Sequence, residues 1–132
     1  AILSGLVGSE MCIRDSCKEM PLAYSLADIV VSASIEPEAF GRVSVEAQSM
    51  GKPIIASDIG GSKETILNKK SGFLYKFDDP RELAKSLNTV IQLTQEELKS
   101  MGNEGRKNIT KKFDVETMCD TNLNEYKKLL KK

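Results

Sequence analysis

The 132-residue chain contains no histidine. Within this chain that excludes a histidine general base, an imidazole metal ligand and any Ser-His or Cys-His catalytic unit. Its three cysteines, Cys12, Cys17 and Cys119, form no CxxC pair and no metal-ligand spacing. Isolated thiols fit a reducing cytosol better than a disulfide scaffold, and no bound metal is expected. An excess of one charge is lacking as well, with 19 Lys and Arg against 19 Asp and Glu. No net field argues for nucleic acid or an anionic membrane as partner. No apolar run approaches the ~20 residues of a membrane span. Internal repeats and low-complexity tracts are missing too. What remains, 40% apolar and 29% charged, is ordinary soluble globular composition. The length suits one domain with a real core rather than two.

The first sixteen residues, "AILSGLVGSEMCIRDS", do not read like the rest. A signal peptide would carry a positive n-region, and the apolar stretch here is brief and broken by Gly5 and Gly8. "MCIRDS" resembles the translation of a transposase sequencing adapter, ATG-TGT-ATA-AGA-GAC-AG. Residues 1–16 are therefore expected to be a non-native, adapter-derived segment on a truncated gene, with the credible chain running over 17–132. A genuine N-terminal arm is the alternative.

Downstream, "KEMPLAYSLA" carries Leu22, Tyr24, Leu26 and Ala27 at near-helical spacing, with Pro21 suited to a first turn. "DIVVSAS" is a short β-branched run, read as a strand over Ile29–Ala33. It does not alternate, so burial on both faces is expected, as in a parallel sheet. "GRVSVEAQSMG" reads as a helix stopping at Gly51. "KPIIASD" reads as a second buried strand, "IGGSKET" as a glycine turn into a short helix, and "SGFLYKF" as a third strand. This order is βαβ logic. The chain then turns helical. "DDPRELAKSLNTVIQL" opens as a capping box on Asp79, Pro80 and Glu82, with an apolar stripe of Leu83, Leu87, Val90 and Ile91. "TQEELKSMGNEGRKNI" repeats the box with Thr94 and Glu97. "FDVETMCDTNLNEYKKLLKK" has Asp114 as cap and a stripe of Met118, Leu123, Tyr126 and Leu130. Capping explains the Asp78-Asp79 pair better than a metal site does. The fold class is thus α/β, part of a Rossmann-like doubly wound domain: a short parallel sheet with flanking helices and a helical C-terminus.

Ligands of open α/β sheets bind beyond the carboxyl ends of the strands. Two glycine-bearing loops lie there, "SIEPEAFGR" and "SDIGGSKE", each leading toward a helix start that favours an anion such as phosphate. The Gly60-Gly61 step alone needs no more than a tight turn. Glu38 and Glu46 sit eight residues apart. Ionised carboxylates only accept hydrogen bonds, so hydroxyls and vicinal diols are their natural ligand partners. A sugar nucleotide, with phosphate in the middle and a diol at each end, would use the whole loop. Glu38 would face the sugar, Glu46 the ribose, and the backbone of Phe40, Gly41 and Arg42 the part between. From spacing alone, a loop surface charge and a solvated helix glutamate remain equally open.

"EAFGRVSVE" resembles the E-x7-E pattern of retaining glycosyltransferases of the GT-B fold, the group 1 or family 4 enzymes. "YSLADIVVSASIEPEAFG", "VEAQSMGKPIIASDIGGSKETI" and "SGFLYKFDDPRELAKSL" are similar to consecutive blocks of that family's C-terminal, donor-binding domain. The resemblance implies that Glu38, the catalytic candidate, contacts the donor sugar and that Glu46 binds the ribose hydroxyls. It places Phe40, Gly41, Arg42 and Val43 around the donor sugar and diphosphate, and Gly60 and Gly61 in the second loop of the donor cleft. Glu64 matches a recurrent family glutamate. The donor substrate would be a UDP- or GDP-sugar, with no cofactor and no metal, the diphosphate being neutralised by cationic side chains and helix N-termini. The acceptor would be a glycan or lipid of the cell envelope, the location cytoplasmic, with peripheral association at the inner membrane face allowed.

The resemblance also implies absences. The acceptor-binding N-terminal domain, the early strands of the donor domain and the basic pair that grips the diphosphate have no counterpart here, and Arg42 and Lys63 do not replace that pair. The polypeptide as given is therefore expected to be inactive, binding a nucleotide sugar weakly or not at all. The last helix resembles the family segment that packs back on the N-terminal domain, so its apolar face is expected to lack cover. Two other readings remain: an isomerase of the nucleotide-sugar 2-epimerase kind, and a non-enzymatic nucleotide-binding module.

Overall fold

The structure, a computed structural model, describes residues 19–130. Residues 1–16, and with them Cys12, lie outside the described residues, as does Cys17. The described chain runs α1 (Met20–Leu26), β1 (Val30–Ser32), α2 (Arg42–Ser49), β2 (Ile54–Ser57), α3 (Ser62–Thr65), β3 (Gly72–Tyr75), α4 (Pro80–Ile91), α5 (Gln95–Lys112) and α6 (Val115–Leu130). The three strands form one parallel sheet in the order β1-β2-β3. Val30 pairs with Ile54, and Ile54 in turn with Gly72. The α/β class and all three strands match the sequence reading, each strand one or two residues shorter at its ends.

Side chains alternate across the sheet. Val30, Ile54, Ala56 and Leu74 pack on one face with Tyr24 of α1, Val43 and Ala47 of α2, and Ile66. Ile29, Ile55, Phe73 and Tyr75 pack on the other with Leu83, Leu87 and Val90 of α4, and with Leu93 and Leu98. β2 lies between two strands and is buried throughout, as expected. β1 departs from the expectation of two-sided burial. It is an edge strand among the described residues, and Val31 remains 42% exposed because α4 covers the sheet farther across.

Helix ends follow local chemistry. Gly51 takes a left-handed φ of 68° after α2, and its amide donates to the Gln48 carbonyl at 2.9 Å. Thr94 and Glu97 form the reciprocal capping box. Asp79 caps α4 through the amides of Arg81 and Glu82, but Glu82 turns away toward Lys85 at 3.6 Å, so that end is a simple cap and not a box. Asp114 accepts from the Thr117 amide at 2.9 Å.

Several stripe positions are corrected. In α1 only Tyr24 is buried, while Leu22 and Leu26 face outward, because a seven-residue helix offers the sheet a single turn. Ile91 is exposed at the last turn of α4, beyond the sheet's reach. The α6 stripe of Met118, Leu123, Tyr126 and Leu130, by contrast, is exposed along its length in line with the expected lack of cover, and α6 has no buried residue.

Helix α5 crosses α2 at backbone-to-backbone distance, a closeness that no local pattern announces. A Cβ on Gly102 would lie 1.9 Å from the Gly51 carbonyl oxygen, and one on Gly105 would lie 3.0 Å from Gln48 Cγ. Beside this contact the Thr65 carbonyl accepts from Gln48 Nε2 at 3.1 Å and from Asn108 Nδ2 at 3.1 Å. A buried carbonyl is thereby satisfied from two helices at once.

Candidate functional site

Parallel strands send their carboxyl ends to one side of the sheet. The 33–41 loop after β1 and the Asp58–Gly61 turn after β2 therefore emerge together, at the position where open α/β sheets bind ligands. The two segments touch through their backbones. The Gly61 amide donates to the Glu38 carbonyl at 2.8 Å. A Cβ on Gly60, whose φ is +53°, would fall 2.4 Å from that same carbonyl oxygen, and one on Gly61 would fall 2.5 Å from the Phe40 carbonyl carbon. Glycine is required at both positions because the Glu38–Phe40 backbone occupies the space a side chain would fill. Gly60 and Gly61 thus seat the loop that carries Glu38.

Glu38 is half-buried, and its Oε1 accepts a hydrogen bond from Ser34 Oγ. The Ser34 carbonyl accepts from Ser57 Oγ at 2.8 Å, and Ser32 Oγ stands 3.4 Å from Ser34 Oγ. Ser57 is buried at the end of the central strand. The central strand is therefore linked to the loop carboxylate through Ser34, whose carbonyl accepts from Ser57 and whose hydroxyl donates to Glu38.

Glu46, one turn into α2, belongs to a second network. Tyr24 Oη donates to its Oε2 at 3.0 Å, while Arg42 Nη2 and Nε approach its Oε1 at 2.9 and 3.3 Å. Burial pushes the Tyr24 phenol up to about 12; the hydrogen bond to Glu46 and that residue's negative charge add to the rise, and Arg42 opposes it. A cleft of about 210 Å³ opens beside this carboxylate, lined by Met20, Pro21, Tyr24, Glu46, Ser49 and Met50.

Between the two glutamates lies the start of α2. Gly41, with φ of 73°, turns the chain into the helix and supplies no side-chain cap. Its carbonyl accepts the amides of Ser44 and Val45. The amides of Phe40, Gly41, Arg42 and Val43 have no acceptor among the described residues. These are the orphan donors of a helix N-terminus, where an anion is favoured.

The expected site residues therefore share one loop-helix unit but divide between two hydrogen-bond networks. Some of their side chains are engaged elsewhere. Val43 packs into the core, so only its backbone can face a ligand. Phe40 meets Phe113 edge-on, with centroids 5.6 Å apart. Arg42 is 83% exposed apart from its pairing with Glu46. Glu64 sits exposed in the first turn of α3, and Lys63 reaches Asp58 at 3.7 Å. Among the described residues no group of three or more His, Cys, Asp or Glu is placed to hold a metal.

Sequence reasoning did not find the partners of the two carboxylates. Tyr24 read as one residue of a core stripe, and its sole sign of a second role was a polar tip on the buried side of a short helix. Ser34 and Ser57 carried no periodic signal, because their contacts depend on how the loop folds over the sheet.

The family model described as "Glycosyl transferases group 1" matches residues 10–108. The chain is similar to spore coat protein SA of Bacillus subtilis, with 30% identity over 112 residues, 84% of this chain and 29% of that protein. It is also similar to the capsular polysaccharide biosynthesis glycosyltransferase CapM of Staphylococcus aureus, with 32% identity over 67% of this chain and 25% of that protein. Among solved structures, Anabaena Alr3699/HepE in complex with UDP superposes with a TM-score of 0.78 at 30% identity, over 84% of this chain and 30% of that one. The same protein has been solved with UDP-glucose. A glycosyltransferase from Rickettsia africae gives a TM-score of 0.74 at 37% identity, over 83% of this chain and 29% of that one. The chain thus spans less than a third of the length of each of these relatives.

Proposed function

Because this chain belongs to the glycosyl transferases group 1 family, we propose that it forms the donor-binding part of a sugar transferase. The loop-helix unit at the carboxyl end of β1 carries this reading. It sets the Glu38 carboxylate, a run of amides without acceptors and the Glu46 carboxylate along 33–46, in the order sugar, diphosphate and ribose would need. The donor class is a nucleoside diphosphate sugar, in keeping with the UDP and UDP-glucose complexes of a structural relative. Glu38 would hold the sugar hydroxyls, and the α2 amides would meet the negative charge on the leaving diphosphate. Arg42 lies on the same first turn and can add a cation there.

In this reading the chain is part of the C-terminal domain of a longer cytoplasmic protein. An acceptor-binding domain would precede the chain, and the transfer would retain anomeric configuration without a bound metal. A capsular or other envelope glycan is the favoured acceptor class, given what CapM is named for. The test is turnover by the longer protein with UDP-glucose or GDP-mannose and an acceptor, following the anomeric proton of the product by NMR. A transferred sugar with retained configuration is expected. Conversion of UDP-N-acetylglucosamine to a C2 epimer without acceptor would replace the transferase reading with an isomerase.

A further inference from the structure

We propose that Ser34 is a positioning residue for Glu38, orienting its carboxylate toward the sugar of the donor, and that Ser57 in turn fixes Ser34. This rests on the donor-binding reading above and assigns it two residues that the E-x7-E pattern does not contain.

The geometry begins with what holds Glu38. Its backbone is fixed on one side by the Gly61 amide at 2.8 Å and by the glycine surface of Gly60. Backbone anchoring leaves the side-chain torsions unset. Those are set by Ser34 Oγ, which donates to Oε1 across four residues of non-helical loop. One carboxylate oxygen is thereby taken, and among the described residues Oε2 has no protein donor. A carboxylate accepts and never donates. The open oxygen is therefore available to a ligand hydroxyl, in an orientation chosen by the serine.

Ser34 could not hold that position from a loose loop. Its carbonyl accepts from Ser57 Oγ at 2.8 Å, and Ser57 is buried at the end of β2, the strand with neighbours on both sides. The orientation of Glu38 is thus referred back to the central, fully buried strand of the sheet. A site held by packed neighbours loses less freedom on binding, and a group misplaced by an ångström loses much of its effect. The alternative is a loop bond that stabilises the turn and does nothing for a ligand.

The experiment separates the two. In the longer protein, Ser34→Thr and Ser34→Val are of equal shape and differ by the hydroxyl alone. Affinities for UDP and UDP-glucose, and for GDP and GDP-mannose, are measured by titration calorimetry. Ser34→Thr is expected to bind like wild type. Ser34→Val is expected to lose about tenfold for the sugar nucleotide, the scale of one hydrogen bond to a charged group, and to keep its affinity for the matching diphosphate within about twofold. Ser57→Ala is expected to lower sugar-nucleotide affinity selectively but less. Equal affinities of the Thr and Val variants for the sugar nucleotide overturn the proposal, as does a loss shared equally by diphosphate and sugar nucleotide. A wild type that binds none of the four ligands overturns the donor-binding reading itself.

Discussion

Tyr24 donates its phenol to Glu46 Oε2 at 3.0 Å while Arg42 holds Oε1 at 2.9 Å, so one carboxylate is gripped from two helices. The two grips differ in kind. Tyr24 is 7% exposed, whereas the Arg42 side chain is 83% exposed. An exposed i,i+4 pair contributes about 0.3–0.5 kcal/mol. The part-buried hydrogen bond matters more, because its loss takes the acceptor from a hydroxyl carried on a buried side chain.

This relationship has a pH signature. The phenol is raised from 10.0 to about 12 in the folded chain, first by burial and then by Glu46. Folding therefore favours the protonated phenol. The associated stability is present in full below pH 10 and is lost as pH rises toward about 12. Thermal unfolding followed by circular dichroism over that window should show the wild type falling faster than Tyr24→Phe. Tyr75 is also raised by burial but is common to both proteins, so it cancels in the comparison. Parallel curves would mean that Tyr24 is not shielded in solution.

Removing the carboxylate tests both ends of the contact. Glu46→Ala leaves the Tyr24 hydroxyl buried without its acceptor, at a cost of about 1–3 kcal/mol in urea unfolding. Glu46→Gln keeps an acceptor and should recover most of that loss. In the longer protein, Glu46→Ala should weaken UDP binding by about tenfold, the effect of losing charge-assisted bonds to ribose hydroxyls. Unchanged UDP affinity by calorimetry would remove Glu46 from the site and leave it a structural partner of Tyr24.

The glycines separate contact from conformation. Gly102→Ala would place a methyl 1.9 Å from the Gly51 carbonyl oxygen, and Gly61→Ala one 2.5 Å from the Phe40 backbone. Backbone cannot yield as a flexible side chain does, so each should cost about 1–3 kcal/mol or more in urea unfolding. Gly51→Ala meets nothing within 4 Å and carries only the strain of its φ of 68°, about 1–2 kcal/mol. Gly61→Ala should also loosen the 33–41 loop, read as faster exchange of the amide at position 61 after correction for the changed residue type. Gly102→Ala should leave that amide protected.

These positions show what a sequence can and cannot disclose. The strands, the Gly51 stop and the Thr94 and Asp114 caps follow from local rules, and the chain obeys them. Val31 and Ile91 broke the expected burial because periodicity identifies an apolar face but not what covers it. The loop bearing Glu38 was legible as a ligand loop from its place after a strand. The contacts of Ser34, Ser57 and Tyr24 were not, since the Ser34–Glu38 bond depends on how one loop folds on itself and the other two join residues 23 and 22 positions apart in the chain. The family resemblance implies that Gly60 and Gly61 line the cleft; the close approach of the Glu38 and Phe40 backbone gives them a second requirement that no local pattern encodes.

The last helix offers the sharpest test of which parts of the chain form the stable unit. α6 has no buried residue, and Met118, Leu123, Tyr126 and Leu130 are each at least 50% exposed. What supports it is local: the Asp114 cap on Thr117 and a Lys128–Glu125 pair at 2.7 Å. A helix of 16 residues without tertiary packing is marginal in water. Deleting residues 115–132 should therefore change the unfolding free energy of the remainder by less than about 0.5 kcal/mol, the range of surface changes. Phe113 stays in place, so its edge contact with Phe40 at the site is retained. The deletion should also lower the fluorescence of the apolar dye ANS, because it removes the exposed side chains of Val115, Met118, Leu123, Tyr126, Leu129 and Leu130. A fall of several kcal/mol would instead mean that this face is covered in solution, and a matching change in sedimentation would identify a second copy of the chain as its cover.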